Sequence, residues 1–277
     1  MLESANLPTH RRAWRHTDDF TPGAPQVKLV VEPFPLPLSP TQVLIKVRAV
    51  ALNYRDAHIA NGGNPWPVLA NGILGNDDAG EVVAAVSFVV GDRVAPVIAT
   101  EFVTSRETGL SWLAADEDGV LADYLVFDEK LLAKLPLHLE WVNCSIIPCA
   151  GTMSCGQKEF VKVRKLMSGT GARIWHTNVL GLTDGVGVDL VLENGGTPSL
   201  VQSVKFTRIG GIVSQVGYLG EQNPAQLEGI FTSVPRLSAT KLGFDDIMDS
   251  VFEFEQAEEA ISYLWEGRQV GKLVLRL

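Results

Sequence analysis

The sequence predicts an α/β protein in two parts. Three observations point to it. Residues 1–130 are short β-branched runs punctuated by Gly and Pro, the pattern of a partly open β-barrel. After Pro148 the pattern becomes strand, helix, strand, which marks a parallel sheet. The chain then closes on an amphipathic helix and a final apolar strand.

In the first part, VKLVVEPF (27–34) and QVLIKVRAVAL (42–52) are predicted strands, and PLPLSP between them is a prolyl connection. AGEVVAAV (79–86) and GDRVAPVI (91–98) form a second pair around a glycine turn, and YLVFDEKLLAKLP (124–136) adds at least one more strand. Residues 99–121 are polar and patternless, so they are expected to be a loop. The basic run Arg11, Arg12 and Arg15 reads as a solvated N-terminal segment.

In the second part, VGVDLVLENGG (186–196) is a nearly continuous apolar run ending in glycines, as in a strand buried on both faces. SLVQSVKFTRIGG (199–211) has helical spacing, and GIVSQVGYLG (211–220) returns to strand. In the last segment Ala257, Ala260, Ile261 and Leu264 share one helix face. Gly267 suits the C-terminal cap, and KLVLRL follows as a strand.

Composition narrows the function. With 277 residues, 46% apolar and 20% charged, the chain can bury two sizeable cores. A net charge of −9 and a pI near 5.1 argue against nucleic acid or an anionic membrane surface as partner. No apolar run approaches the length of a membrane span, and the first residues lack a signal peptide's apolar core. Cys144, Cys149 and Cys155 are an odd number without a CxxC pair, so they read as reduced thiols of a cytoplasmic protein.

Seven segments in order carry a family resemblance: ALNYRDAHIANG (51–62), LGNDDAGEVV (74–83), GDRVAP (91–96), IIPCAG (146–151), VDLVLENGG (188–196), GGIVSQVGYLG (210–220) and residues 251–277. Together they resemble the medium-chain dehydrogenase/reductase superfamily, and within it the zinc-independent, quinone-oxidoreductase-like branch. The resemblance implies a GroES-like catalytic domain over 1–148, completed by 251–277, and a truncated, Rossmann-like dinucleotide-binding domain over 149–250.

The resemblance also locates the site. Zinc-dependent members take ligands at positions that match Asn53, Asn76, Asp77 and the neighbourhood of Cys149. Amides are poor zinc ligands, so no metal is expected. Cys149 reads as a small buried residue. In the zinc-independent branch, Asn53 and Tyr54 lie near nicotinamide and substrate. Asn53 is the candidate to orient a carbonyl oxygen, and Tyr54 to donate a proton or wall the pocket. Asp56 is expected to fix the same loop through backbone hydrogen bonds, and His58 to sit at or near the surface.

The cofactor half is short. A six-stranded Rossmann domain takes roughly 130–150 residues, more than 151–245 supply, so at least one βα unit is absent or abbreviated. Gly169-Thr170-Gly171 has two alignments. It is the phosphate turn with its following helix lost, or it ends that helix while the phosphate turn is what has gone. In the second, ARIWHTN (172–178) is the next strand, with His176, Thr177 and Asn178 at its end. No acid stands there to bond a ribose 2′-hydroxyl, which favours NADP over NAD. HTNVLGLTDGVGVD then leaves no room for another helix and strand. The cofactor-contact candidates are Gly169, Gly171, Thr177, Asn178, Asn194, Gly195, Gly217 and Lys272.

The expectation is thus an NADP(H)-dependent, zinc-independent oxidoreductase acting on a small-molecule quinone, enone or related conjugated carbonyl. The alternative is a weak or inactive family descendant, or a mis-spliced gene product, serving as a small-molecule binder or partner subunit. A homodimer is one expected assembly, since edge-to-edge dimers are usual in the family.

Overall fold

The computed structural model describes residues 7–18, 25–33, 36–64, 66–101, 111–151, 175–193, 197–215, 248–269 and 271–277. The chain divides into two compact units, Met1–Thr152 with Leu242–Leu277, and Met153–Lys241.

The first unit begins with β1 (His10–His16) and β2 (Val27–Pro33), an antiparallel pair. β3 (Gln42–Leu52) leads into the short helix α1 (Tyr54–Ala60). Then come β4 (Asp78–Ala84), β5 (Arg93–Pro96), β6 (Tyr124–Asp128) and β7 (Leu132–Lys134). A single helical turn, α2 (Trp141–Cys144), and a π-helical turn over Ile147–Gly151 follow. In the second unit, α3 (Trp175–Leu182), β8 (Val188–Glu193), α4 (Thr197–Phe206) and β9 (Thr207–Gln215) run in order. The chain returns to the first unit with β10 (Met248–Glu253), α5 (Ala257–Trp265) and β11 (Lys272–Arg276).

The main sheet has the order β10–β11–β3–β4–β5–β7, and β6 also pairs with β3. β3 is central because most of its residues are buried, so both its faces must be covered. Val47, Val50 and Leu52 face the main core with Ile73, Leu74, Val120 and Leu121, while Ala49 and Ala51 pack under Val142 and Ile146. The face of α5 read from the sequence is the buried one: Ala257, Ala260, Ile261 and Leu264 join Ala57, Ile59 and Ala60 of α1 in the main core. A fully buried Ile of this kind contributes about 1.5–3 kcal/mol. Gly267, at φ +68, stops the helix where a side chain would be strained.

In the second unit β8 and β9 are parallel, joined through α4, as the strand–helix–strand reading expects. Val179, Val191, Leu200, Phe206 and Val213 form its core.

Several expectations are corrected. The basic N-terminal run is not a solvated segment but strand β1. Arg11 and Arg15 bind Glu32 and Asp118, and Arg12 binds Asp123, while Ala13 and Trp14 are buried. Residues 99–121 hold no named strand or helix among those described, as the loop reading expects, but the second half is packed rather than solvated, with Leu113, Val120 and Leu121 fully buried. Its acids tie it down: Asp118 accepts the N–H of Ile73 and the guanidinium of Arg15. The helix read over 199–211 ends at Phe206, and Thr207 already belongs to β9.

Residues 175–182 are helix α3 rather than the end of a strand and a tight passage. A short apolar run has no period that separates helix from strand. Here Val179 packs inward while His176 bonds Gln202 of α4.

Candidate functional site

Sheet register builds the site. Leu52, the last residue of β3, pairs with Leu273 of β11, and Val50 pairs with Asp78 of β4. One residue beyond these pairs, Asn53, Lys272 and Asp77 are therefore neighbours across three adjacent strand ends. The register is held at this edge by the Ala51 N–H, which donates to the Asp77 carbonyl at 2.7 Å.

Asn53 has extended backbone before α1, with φ −109 and ψ 154. The loop around it is pinned by Asp56, whose carboxylate accepts the N–H of Asn53 at 2.7 Å and that of Gly75 at 3.0 Å. Burial lifts the Asp56 carboxyl above its ordinary range, although both of these donors favour the charged form. Gly75 has φ +84 and lies against Val50 and Val120, so a side chain there would be both strained and crowded. The role read for Asp56 is the one it plays.

The side chain of Asn53 is committed on all sides. Its Nδ2 donates to Asn76 Oδ1 at 2.8 Å and to Asp77 Oδ2 at 3.1 Å. Its Oδ1 accepts from Lys272 Nζ at 2.7 Å. An ammonium only donates and a carboxylate only accepts, so the flip of this amide follows from its neighbours. The amide that the sequence offers to a substrate carbonyl spends both its protons inside the chain.

Asp77 is fully buried, 3.6 Å from Lys272 Nζ, and its Oδ1 accepts the backbone N–H of Cys149 at 2.6 Å. That bond ties the π-helical turn to the cluster. Burial, and then the charge of Asp77, push the Cys149 thiol up to about 12, so it stays protonated. Asp78 lies beside Val50, on the core-facing side of β4, with neither carboxylate oxygen hydrogen-bonded. Burial, and secondarily Asp77, hold its pKa well above the usual carboxylate range.

These residues do not suit zinc. The positions where ligands would stand hold two amides, one carboxylate and one cysteine, and an ammonium already lies against the carboxylate. Among the described residues no group of three His, Cys, Asp or Glu side chains gathers for a metal.

Tyr54 opens α1 directly after Asn53. Its half-buried ring meets His58 edge-on at 4.5 Å, and His58 meets Trp265 at 5.4 Å. The Tyr54 hydroxyl makes no hydrogen bond to a described residue, unlike the Asn53 amide.

Of the cofactor candidates, Gly169, Gly171, Asn194, Gly195 and Gly217 lie outside the described residues. Thr177 and Asn178 do not end a strand. They are exposed residues of α3, which removes the reading of them as ribose-binding strand-end residues. Lys272, placed near a cofactor by resemblance, is turned to Asn53 and Asp77. Its partnership with Asn53 spans 219 positions of sequence, and no local motif signals it.

A partly open barrel with polar side chains gathered at the end of its central strand defines a GroES-like unit. The alcohol dehydrogenase GroES-like domain family matches residues 39–137. The chain is 25% identical to a zinc-type alcohol dehydrogenase-like protein of Schizosaccharomyces pombe, over 94% of this chain and 97% of the relative. That alignment runs to 338 positions against a 277-residue chain, so the relative carries residues that this chain lacks. Among solved structures, a Pseudomonas syringae quinone oxidoreductase superposes with TM-score 0.64 at 18% identity, covering 96% of this chain and 100% of that one. A Sinorhizobium meliloti protein solved bound to NADP gives TM-score 0.65 at 16% identity, covering 98% and 100%. Together these likenesses support membership of the medium-chain dehydrogenase/reductase superfamily, a class of oxidoreductases.

Proposed function

We propose that the protein is an NADP(H)-dependent, zinc-independent oxidoreductase that reduces a quinone, enone or related conjugated carbonyl in the cytoplasm. The observation that supports this reading is the Asn53–Asp77–Lys272 cluster, an amide, a carboxylate and an ammonium at the edge where the family's chemistry is expected. The free thiols of Cys144 and Cys149 suit a reducing compartment. No described helix is long and apolar enough to cross a membrane.

The β8–α4–β9 unit is of the kind that receives a nucleotide at the carboxyl ends of its strands. Asn194 and Gly195 directly follow the last residue of β8, and Gly217 follows β9 by two positions, so these are the residues that would hold it. A bound dinucleotide supplies the hydride. The chain's own part is to orient the acceptor, shield it from water and deliver a proton, for which the Tyr54 hydroxyl is the candidate.

NADPH at about 1 mM should raise the melting temperature through linkage, and enone-dependent NADPH oxidation should follow. Tyr54→Phe should lower turnover by about 10²-fold, the lower end of general-acid effects. Absence of a melting shift with both NADPH and NADH would remove the dinucleotide, and an unchanged rate in Tyr54→Phe would return Tyr54 to the pocket wall.

One observation favours a second reading, a weak or silent descendant that binds a small molecule: the longer relative needs 338 positions to align. Thermal shift without turnover would select it.

A further inference from the structure

The ammonium of Lys272 lies against Asn53 and Asp77, two of the residues whose positions match metal ligands of the family by resemblance. It bonds Asn53 Oδ1 at 2.7 Å and forms an ion pair with Asp77 at 3.6 Å. Its side chain keeps 16% of its exposure while Asp77 keeps none. An ammonium has three donors. One is spent on Asn53 and one points to Asp77, so a third remains among the described residues.

Its position is fixed at both ends. The antiparallel register of β11 on β3 sets the backbone, and Asn53 steers the tip. Asn53 is itself held by Asn76 and Asp77. A cation fixed in this way costs no reorganisation when charge develops beside it, which is the condition for electrostatic catalysis. Asp77, 3.6 Å away, offsets part of the positive charge, while the amide of Asn53 orients the ammonium's tip.

We propose that Lys272 is a catalytic residue whose ammonium contacts the substrate's carbonyl oxygen and polarises it, taking over the electrophilic role of a metal ion. This rests on the reading of the site as one for conjugated carbonyls. When hydride from the reduced dinucleotide adds to the electrophilic carbon, the C=C or C=O π pair shifts and negative charge builds on oxygen beside the ammonium. A proton from Tyr54 or solvent then neutralises the product, and Lys272 keeps its own. Asn53 and Asp77 act as positioning residues.

The test uses 4-(dimethylamino)cinnamaldehyde, a push–pull enal whose absorption moves to longer wavelength when its carbonyl oxygen meets a cation. Wild type should shift the dye to the red. Lys272→Met should bind it without the shift, and Lys272→Arg should keep part of it. Lys272→Gln, which keeps a donor for Asn53 but no charge, serves as a second neutral variant should the Met protein not fold. Enone reduction in the neutral variants should fall by about 10²–10³-fold, in kcat more than in KM. An equal shift in the neutral variants, or none in wild type at about 1 mM dye, the upper end of usual KM values, overturns the assignment. A red shift in wild type without NADPH consumption would sink the reductase reading and leave the carbonyl contact standing.

Discussion

Two polar clusters of the first unit are assembled from the same chemistry and differ in what they leave over. On the β1–β2 pair, Arg11 and Arg15 grip Glu32 and Asp118, with Arg15 making two bonds to each carboxylate. The Arg15 guanidinium is raised from its ordinary value by Glu32 first, and Glu32 is held below its own by Arg15 first. Two planar cations meet two carboxylates in complementary forks, so the charges are internally satisfied. At the β3 edge one ammonium, one amide and one carboxylate stand in line, and the ammonium keeps a donor. Closed networks hold structure. Open ones can do chemistry.

Asn53→Ala should sharpen this contrast most. It leaves the buried Asp77 short of a donor and frees the tip of Lys272. Turnover should fall by about 10²-fold, with a stability loss of about 1–3 kcal/mol. Steady-state kinetics beside denaturant melts would measure both. An unchanged rate with lowered stability would make the cluster purely structural.

Arg15→Met should give the opposite result. The melt should shift by about 1–2 kcal/mol, less than a fully buried pair would lose because these groups are partly exposed, and kcat should stay within about twofold of wild type. Since the Glu32 pKa is depressed by folding, the network's contribution is present above about pH 4.3 and is lost as pH falls through the folded value. The mutant should therefore show a flatter acid limb. A loss of activity equal to that of Asn53→Ala would erase the distinction between the clusters.

Asp78 has the reverse sign and the smallest expected effect. Its proton is held more tightly folded than unfolded, so stability is greatest below about pH 3.9 and declines as pH rises toward the folded value. Asp78→Asn removes that slope. It should raise Tm at pH 8 by about 2–4 °C, the shift about 1 kcal/mol produces in a domain of this size, and change little at pH 4. A lower Tm at pH 8 would mean that the carboxylate has a stabilising partner.

Much of the barrel was legible in the sequence because its strands are β-branched, alternate or fully apolar, and end at Gly and Pro. β3 is the clearest case: QVLIKVRAVAL matches the observed strand residue for residue. The face of α5 was legible for the same reason, since a period near 3.6 projects Ala257, Ala260, Ile261 and Leu264 onto one side. β1 was hidden because three arginines mask the two buried apolar residues, Ala13 and Trp14. Their stems lie along the sheet while their heads find carboxylates up to 243 positions away. α3 was misread because a short apolar stretch fits either period, and packing of Val179 decided it.

By itself, the sequence determined the fold class, the family, the loop that carries Asn53 and Tyr54, and the unsuitability of two amides for zinc. Those depend on residue types and short spacings, which a linear chain displays. Tertiary structure alone decided that Asn53 is fully engaged, that Thr177 and Asn178 sit on a helix, and that Lys272 faces Asp77. The first and third turn on which strand ends are neighbours, and the second on how Val179 packs. β-Sheet register joins residues more than 200 positions apart, and it is set by the packing of the whole unit.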